Sequence, residues 1–257
     1  MPFVKFRKAE RIYLRIVLNL HFMDTILKIA KKKCDCFSCE LRDVAFGNLS
    51  QEDIDRICDA KEEKKYSRGE VINEEGEPVR DFKYLKNGLV KLFRKSIRGE
   101  EQIIAIARPL EFVSNTNVFT EGRYSYSLSA LEDSVACCIR ISLMRELIEK
   151  NGKFALNLIS VLSRTSENII ALGLEIRSRN LAGRIAYVLL YFSRDIYHSS
   201  IFDLPVSRKE IADFISMSSA NVIRTFSELR RDGIIKSYGR TLEIIDMNKL
   251  EVISKRG

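Results

Sequence analysis

Histidine is almost missing from this 257-residue chain, which holds only His21 and His198. His21 lies in a basic leader, and His198 has no Ser, Cys or Asp pattern around it. No G-x-S-x-G, P-loop or H-E-x-x-H stretch occurs either, so the residues for triad, phosphate-loop or zinc-hydrolase chemistry are not there. Also missing is any run of 18 uncharged apolar residues, which excludes a membrane-spanning helix. The nearest stretch, "IYLRIVLNLHF" (12–22), is broken by Arg15 and His21, and no small-residue cleavage site follows it. Residues 1–22 read either as part of the structure, in a basic N-terminal extension, or as an over-called start ahead of Met23. Cytoplasmic localisation is the expectation, and in a reducing compartment six cysteines argue against a disulfide framework. Surplus charge is confined as well. The net charge is +8, but residues 1–33 carry nine Lys/Arg against two Asp/Glu, leaving the remaining 224 residues nearly neutral. Any DNA surface must therefore be a local patch.

What is present is ordinary globular composition, with 46% apolar and 30% charged residues, in a chain long enough for two domains. Residues 50–65, opening with Ser50-Gln51-Glu52-Asp53, predict a short amphipathic helix with an acidic first turn. From 66 to 140, short alternating runs such as "LVKLF", "QIIAIA" and "YSYSLSAL" are separated by turn signals at Asn73 to Gly76, Asn87-Gly88, Arg98-Gly99 and Glu121-Gly122. That spacing predicts an antiparallel sandwich or barrel, with Asn87-Gly88 as its best hairpin mark. The period then changes. Leu158, Leu162, Thr165, Ile169, Leu172 and Ile176 form a heptad seam, expected to pair with a copy of itself. Gly183 is expected to end or bend that helix, and "RIAYVLLYF" (184–192) begins another.

Residues 206–235 read "VSRKEIADFISMSSANVIRTFSELRRDGII". Ser207 and Glu210 have capping-box spacing, and Ile211, Phe214 and Ile215 supply a buried face. "SMSS" breaks the helix, Ser218 can cap a second, and Val222, Phe226 and Leu229 form its core stripe. Two short helices joined by a tight turn, followed by a hairpin around Tyr238-Gly239, make a winged helix-turn-helix that places its second helix in a major groove.

With these motifs in this order, the chain resembles a CRP/FNR-family transcription regulator over roughly 40–250. "SRGEVINEEGEP", "YLKNGLVKLF" and "RGEEQIIAIARPLEF" resemble the strands of the cyclic-nucleotide-binding roll, and "NLAGRIAYVLLYFS" resembles the junction after the family's dimerisation helix. The resemblance implies an α+β fold: an antiparallel β-roll sensor domain (34–150) behind a basic extension (1–33), a long dimerisation helix (151–180) and a C-terminal winged helix-turn-helix domain (181–257). It implies a homodimer on a two-fold related double-stranded DNA site, with RNA polymerase as a candidate further partner. Arg224 matches the family's base-reading arginine, while Ala220 replaces the acidic residue four positions before it and Ser219 stands where an arginine is common. Arg208, Ser218, Ser219 and Asn221 complete the expected DNA-contacting set. Glu111, Arg123, Ser125 and Thr165 are the expected effector-pocket residues. Leu110 replaces the phosphate-cradle glycine and Tyr124 follows Arg123, which argues against cAMP.

"CDCFSC" (34–39) remains. The redox branch of the family holds a [4Fe–4S] cluster on four cysteines, and Cys34, Cys36, Cys39 and Cys137 are the matching candidates. The spacing here is C-x-C-x2-C rather than the branch's C-x2-C-x5-C, and Ala45 occupies the place six beyond Cys39. An iron–sulfur cluster, a zinc site on the same thiols and ordinary reduced cysteines all stay open. Cys58, alone on an amphipathic helix, reads as core.

Overall fold

The computed structural model describes residues 36, 39, 40, 42–97, 99–109, 111, 119 and 122–256. Ser50 starts helix α1 (Gln51–Ala60) by accepting the Asp53 amide on its hydroxyl, and Ile54 and Ile57 point inward. The helix predicted over 50–65 is five residues too long. Residues 62–66 instead form strand β1 (Glu62–Tyr66), although Glu and Lys are good helix formers. They are extended because β1 pairs along its whole length with β7 (Ser134–Arg140), and tertiary pairing overrides weak local preference.

Between them run β2 (Val71–Asn73), β3 (Asp81–Asn87), β4 (Val90–Lys95), β5 (Glu101–Ala107) and β6 (Ser127–Ala130). They form two antiparallel sheets, ordered β1-β7-β3 and β2-β6-β4-β5, in agreement with the expected roll. Asn87-Gly88 is not a hairpin. β3 pairs with β7, while β4 pairs with β5 and β6, so this turn carries the chain from one sheet to the other. Gly88 has φ +91°, and a Cβ there would lie 2.3 Å from Ser134 Oγ and 2.7 Å from the Asp133 carbonyl. Both the backbone and the close approach therefore demand glycine. A true hairpin does occur at Ser96–Glu100, between β4 and β5, where Gly99 takes φ +78°.

After α2 (Ile141–Lys150), Asn151 caps the 26-residue helix α3 (Gly152–Arg177) by accepting the Phe154 amide. The predicted seam faces this chain's own body. Leu158 and Ile176 are buried, and Leu162, Ile169 and Leu172 pack on the core. A different stripe, Leu156, Ile159, Ile170 and Leu174, is 58–69% exposed. Helical periodicity alone marks an apolar face without saying what covers it.

The break after α3 falls at 178–180, not at Gly183. Asn180 caps α4 (Leu181–Tyr191), and Gly183 is buried within its first turn. A π-turn, Phe192–Ile196, and strand β8 (Ile201–Asp203) lead into α5 (Arg208–Ile215) and α6 (Ser219–Arg231). β9 (Ile235–Tyr238) and β10 (Thr241–Ile244) make the expected hairpin at Gly239 (φ +61°), with β8 added on the far edge of β10. Helix α7 (Met247–Arg256) closes the chain. A single apolar core runs from Leu89, Phe93 and Ile106 of the roll through α4 into Ile211, Val222 and Leu242. Among the described residues, no helix is long and apolar enough to cross a membrane.

Replacing Gly88 by alanine imposes a disfavoured φ and a backbone clash together, so Gly88→Ala is expected to destabilise the protein by roughly 2–5 kcal/mol. Chemical denaturation followed by circular dichroism reads this out, whereas Gly99→Ala, whose Cβ meets nothing within 4 Å, should cost clearly less.

Candidate nucleic-acid interface and sensor cleft

The helix-turn-helix is held by local hydrogen bonds that the sequence pattern requires. The Ser207 hydroxyl accepts the Glu210 amide at 3.1 Å, and the Glu210 carboxylate accepts the Ser207 amide at 2.8 Å, completing the capping box. Ser216 turns the chain in the left-handed region (φ 56°), and Ser218 caps α6 by accepting the Asn221 amide. Val222, Phe226 and Leu229 bury one face of α6. Ser218, Ala220, Ile223 and Arg224 lie on the exposed side, with Ser219 and Asn221 half-buried beside them.

Of the expected DNA contacts, Arg224 is the most available: its side chain is 67% exposed, and its nearest carboxylate, Glu228, is 3.9 Å away. Arg208 differs. Its guanidinium stacks over the Phe226 ring at 3.5 Å, and burial, with help from Arg230, pulls its pKa down to about 10. It supports α6 from beneath while keeping its charge near the surface.

Two residues that sequence reasoning passed over fix this unit against the rest. Arg184 of α4 donates to the carbonyls of Arg179 (2.8 Å), Arg177 (3.2 Å) and Ile215 (3.0 Å), tying the end of α3 to the turn of the helix-turn-helix. Lys91 of β4 donates to Glu101 at 2.6 Å and to Glu210 at 2.8 Å, with only 10% of its side chain exposed. Burial opposes the charge on Lys91, but the two carboxylates outweigh it and raise its pKa. Nothing in the spacing of Lys91 and Glu210, 119 residues apart, signals this pair.

The four expected effector residues do not meet. Glu111 and Thr165 line an open cleft of about 720 Å³ between α3 and the β4-β5-β6 face of the roll, ending at Tyr187, Tyr191 and Asp195 of the next segment. Arg123 lies elsewhere, donating to the Gly76 carbonyl at 2.7 Å, and Ser125 does not line the cleft. Among the described residues, the cation on the cleft is Arg108, which no motif marked.

The cysteines gather at the other end of the roll, around α1 and β7. Burial, with Cys58 beside it, pushes the Cys36 pKa up to about 11 despite the nearby Lys61. Cys39 Sγ lies 3.9 Å from the Tyr84 hydroxyl, with Cys137 also close to that phenol. Cys137 is buried, and its pKa is pushed up to about 12. Cys58 is thus a neighbour of Cys36 rather than an isolated core residue, and Cys34 lies outside the described residues. A [4Fe–4S] cluster needs four converging thiolates. Here burial holds the Cys36 and Cys137 thiols toward their protonated form, and the void lined by Cys36, Cys39 and Tyr84 is about 10 Å³, room for one water. Ala45, the residue six beyond Cys39, is fully buried. Among the described residues no three Cys, His or carboxylate groups converge on one point. Among the described residues, Cys36, Cys39 and Cys137 do not converge as a cluster, or a zinc ion on the same thiols, would require.

Profiles of two protein families match the chain: the cyclic nucleotide-binding domain over residues 63–151 and the Crp-like helix-turn-helix domain over residues 183–253. The transcriptional activator protein anr of Pseudomonas aeruginosa is 27% identical over 233 residues, which is 88% of this chain and 95% of that protein. The chain belongs to the CRP/FNR family. The transcriptional activator FnrL of Cereibacter sphaeroides is 24% identical over 237 residues, covering 89% and 92% of the two chains. Among solved structures, FixK2 from Bradyrhizobium japonicum aligns with a TM-score of 0.66 at 21% identity, over 75% of this chain and 96% of that one. A CRP/FNR-family regulator from Eubacterium rectale aligns with a TM-score of 0.69 at 15% identity, over 82% and 97%. These two likenesses are of fold. This CRP/FNR chain keeps the family's capped helix-turn-helix and roll, with its own residues in the cleft and at the thiols.

The Lys91–Glu210 contact carries a measurable expectation. Lys91→Met leaves two carboxylates facing each other, half-buried, and should cost roughly 2–4 kcal/mol in urea unfolding. The double variant Lys91→Met/Glu210→Gln should recover part of that loss, because the two sites are coupled.

Proposed function

We propose that the chain is a homodimeric, sequence-specific DNA-binding transcription regulator of the cytoplasm, controlled by an effector in the cleft under α3. The observation that carries this reading is α6. Its apolar stripe is anchored, its N-terminus is capped, and its opposite face presents Arg224 and neighbouring small residues to solvent. That is the form of a helix that enters a major groove. A planar guanidinium there suits bidentate contact with guanine, and Ser218, Ser219, Asn221 and Arg208 suit phosphate positioning. Ala220 has no carboxylate, so this helix reads a different half-site from one with an acidic residue at that position.

The exposed stripe Leu156, Ile159, Ile170 and Leu174 is the face on which a second copy would pair, setting two recognition helices about 34 Å apart. An effector under α3 touches the inner side of the same helix and so biases how two copies meet. RNA polymerase is the further partner this role calls for. The reading gives the chain no catalytic step.

The test is selection of duplexes from random sequence, followed by titration at several salt concentrations. The selected duplex should outcompete unselected DNA, with log K falling linearly with log salt. Arg224→Ala should weaken it about 5- to 150-fold with the fold intact. Equal binding of selected and unselected DNA would refute the reading.

A cluster on the cysteines is the second reading, favoured by one observation: Cys36, Cys39 and Cys137 border the same apolar cluster. The arrangement of the thiols leads us to expect anaerobically purified protein to be colourless, with iron and sulfide far below four per chain. A brown protein, bleached by air and lost on Cys36→Ser, would instead restore the cluster.

A further inference from the structure

The cleft under α3 has a chemistry of its own. Its floor is Leu92, Ala105 and Leu128 from the roll, and its roof is Leu162, Ile169 and Leu172 from α3. At about 720 Å³ it is of a size that holds a drug-sized ligand. Among the described residues, Arg108 is the one Lys or Arg at its edge, while Glu111, Glu167, Glu175 and Asp195 all border it. Arg108 is already occupied. Its Nε and Nη2 donate to Glu111 Oε1 at 3.1 and 3.0 Å, and its Nη1 donates to the Asp195 carbonyl at 3.2 Å. The Arg108 amide also donates to Glu111 Oε2 at 2.8 Å, so the carboxylate is gripped from both oxygens. Glu175 pairs with Arg179 at 2.8 Å, and Glu167 and Asp195 add two further carboxylates to the rim.

An anion entering here would have to displace Glu111 from Arg108 and stand beside those carboxylates. An uncharged molecule meets no such penalty. Thr165 and Ser166 spend their hydroxyl protons on the Val161 and Leu162 carbonyls, each at 3.0 Å, so their oxygens are left as acceptors facing the cleft. From this we infer that the cleft binds an uncharged, largely apolar small molecule carrying a hydrogen-bond donor, and that Glu111 is the specificity-determining residue that excludes anions. The inference rests on the reading of the cleft as the regulator's sensor, and it gives that sensor a ligand class.

The test uses a matched pair of fluorescent probes on the full chain: N-phenyl-1-naphthylamine, which is uncharged and carries one N–H, and 1-anilinonaphthalene-8-sulfonate, the same skeleton with a sulfonate. The neutral probe should bind at least about tenfold more tightly than the sulfonate, and cyclic AMP should not displace it. Ile169→Trp, which fills the roof from the helix side, should abolish neutral-probe binding; the unfolding midpoint confirms that this variant is folded. Glu111→Gln frees Arg108 and should tighten sulfonate binding about 10- to 100-fold, with little change for the neutral probe. Equal binding of the two probes by the unaltered chain, displacement by cyclic AMP, or an unchanged sulfonate affinity in Glu111→Gln would overturn the inference. So would neutral-probe binding that disappears as the chain self-associates, because the cleft would then be filled by a second copy. DNA selection on the same preparation separates the two levels. Probe binding without sequence-selective DNA binding leaves the ligand class standing and removes the regulator; the converse removes only the ligand class.

Discussion

The burial of helix α4 is the constraint on which the rest of the architecture depends. Ile185, Ala186, Val188, Leu189 and Leu190 are all shielded from solvent, and a helix apolar on nearly every side must be surrounded by other elements. The roll, the end of α3, both helices of the helix-turn-helix and α7 supply those walls, and they share one continuous core. Hydrophobic burial is non-directional, so it brings these parts together without fixing their angles.

Orientation comes from a few charged groups set into that apolar joint. Arg184 reads three carbonyls, at the end of α3, in the break after it and at the end of α5, and Lys91 clamps Glu210, the carboxylate that also starts α5. The beginning of the helix-turn-helix and its docking on the sensor sheet are therefore served by one side chain. Tyr197 to Glu132 and Arg68 to the Pro205 carbonyl add two more directional links across the same boundary. A change in the cleft, whose far end is built from Arg108 and Asp195, has a short path to these links.

Local signals made the C-terminal unit legible from sequence. The capping box, the cap at Ser218, the stripe through Phe226 and the glycine at 239 all act within a few residues, and each appears where the pattern places it. The roll was legible as a class of fold but not in its pairing. Asn87-Gly88 looks like a hairpin because the residues that permit a turn are the same whether the chain returns to its own sheet or crosses to another. The α3 periodicity marked the face turned toward its own domain, since both faces of that helix carry leucine and isoleucine. The Lys91–Glu210 pair and the meeting of Cys36 with Cys58 depend on how distant segments converge, which no spacing rule encodes.

Strand β1 has a consequence for how the chain is made. Its partner along the register is β7, with Tyr66 opposite Ser134 and Glu62 opposite Cys138, so β1 cannot begin to pair until almost seventy further residues have been synthesised. Pairings of such long sequence separation form slowly and leave strand edges open in the meantime. The strand that waits reads Glu62-Glu63-Lys64-Lys65-Tyr66. Four charges in five residues make it a poor template for another nascent chain. The composition that disguises β1 as helix is also what lets it remain unpaired on the ribosome without adhering to its neighbours.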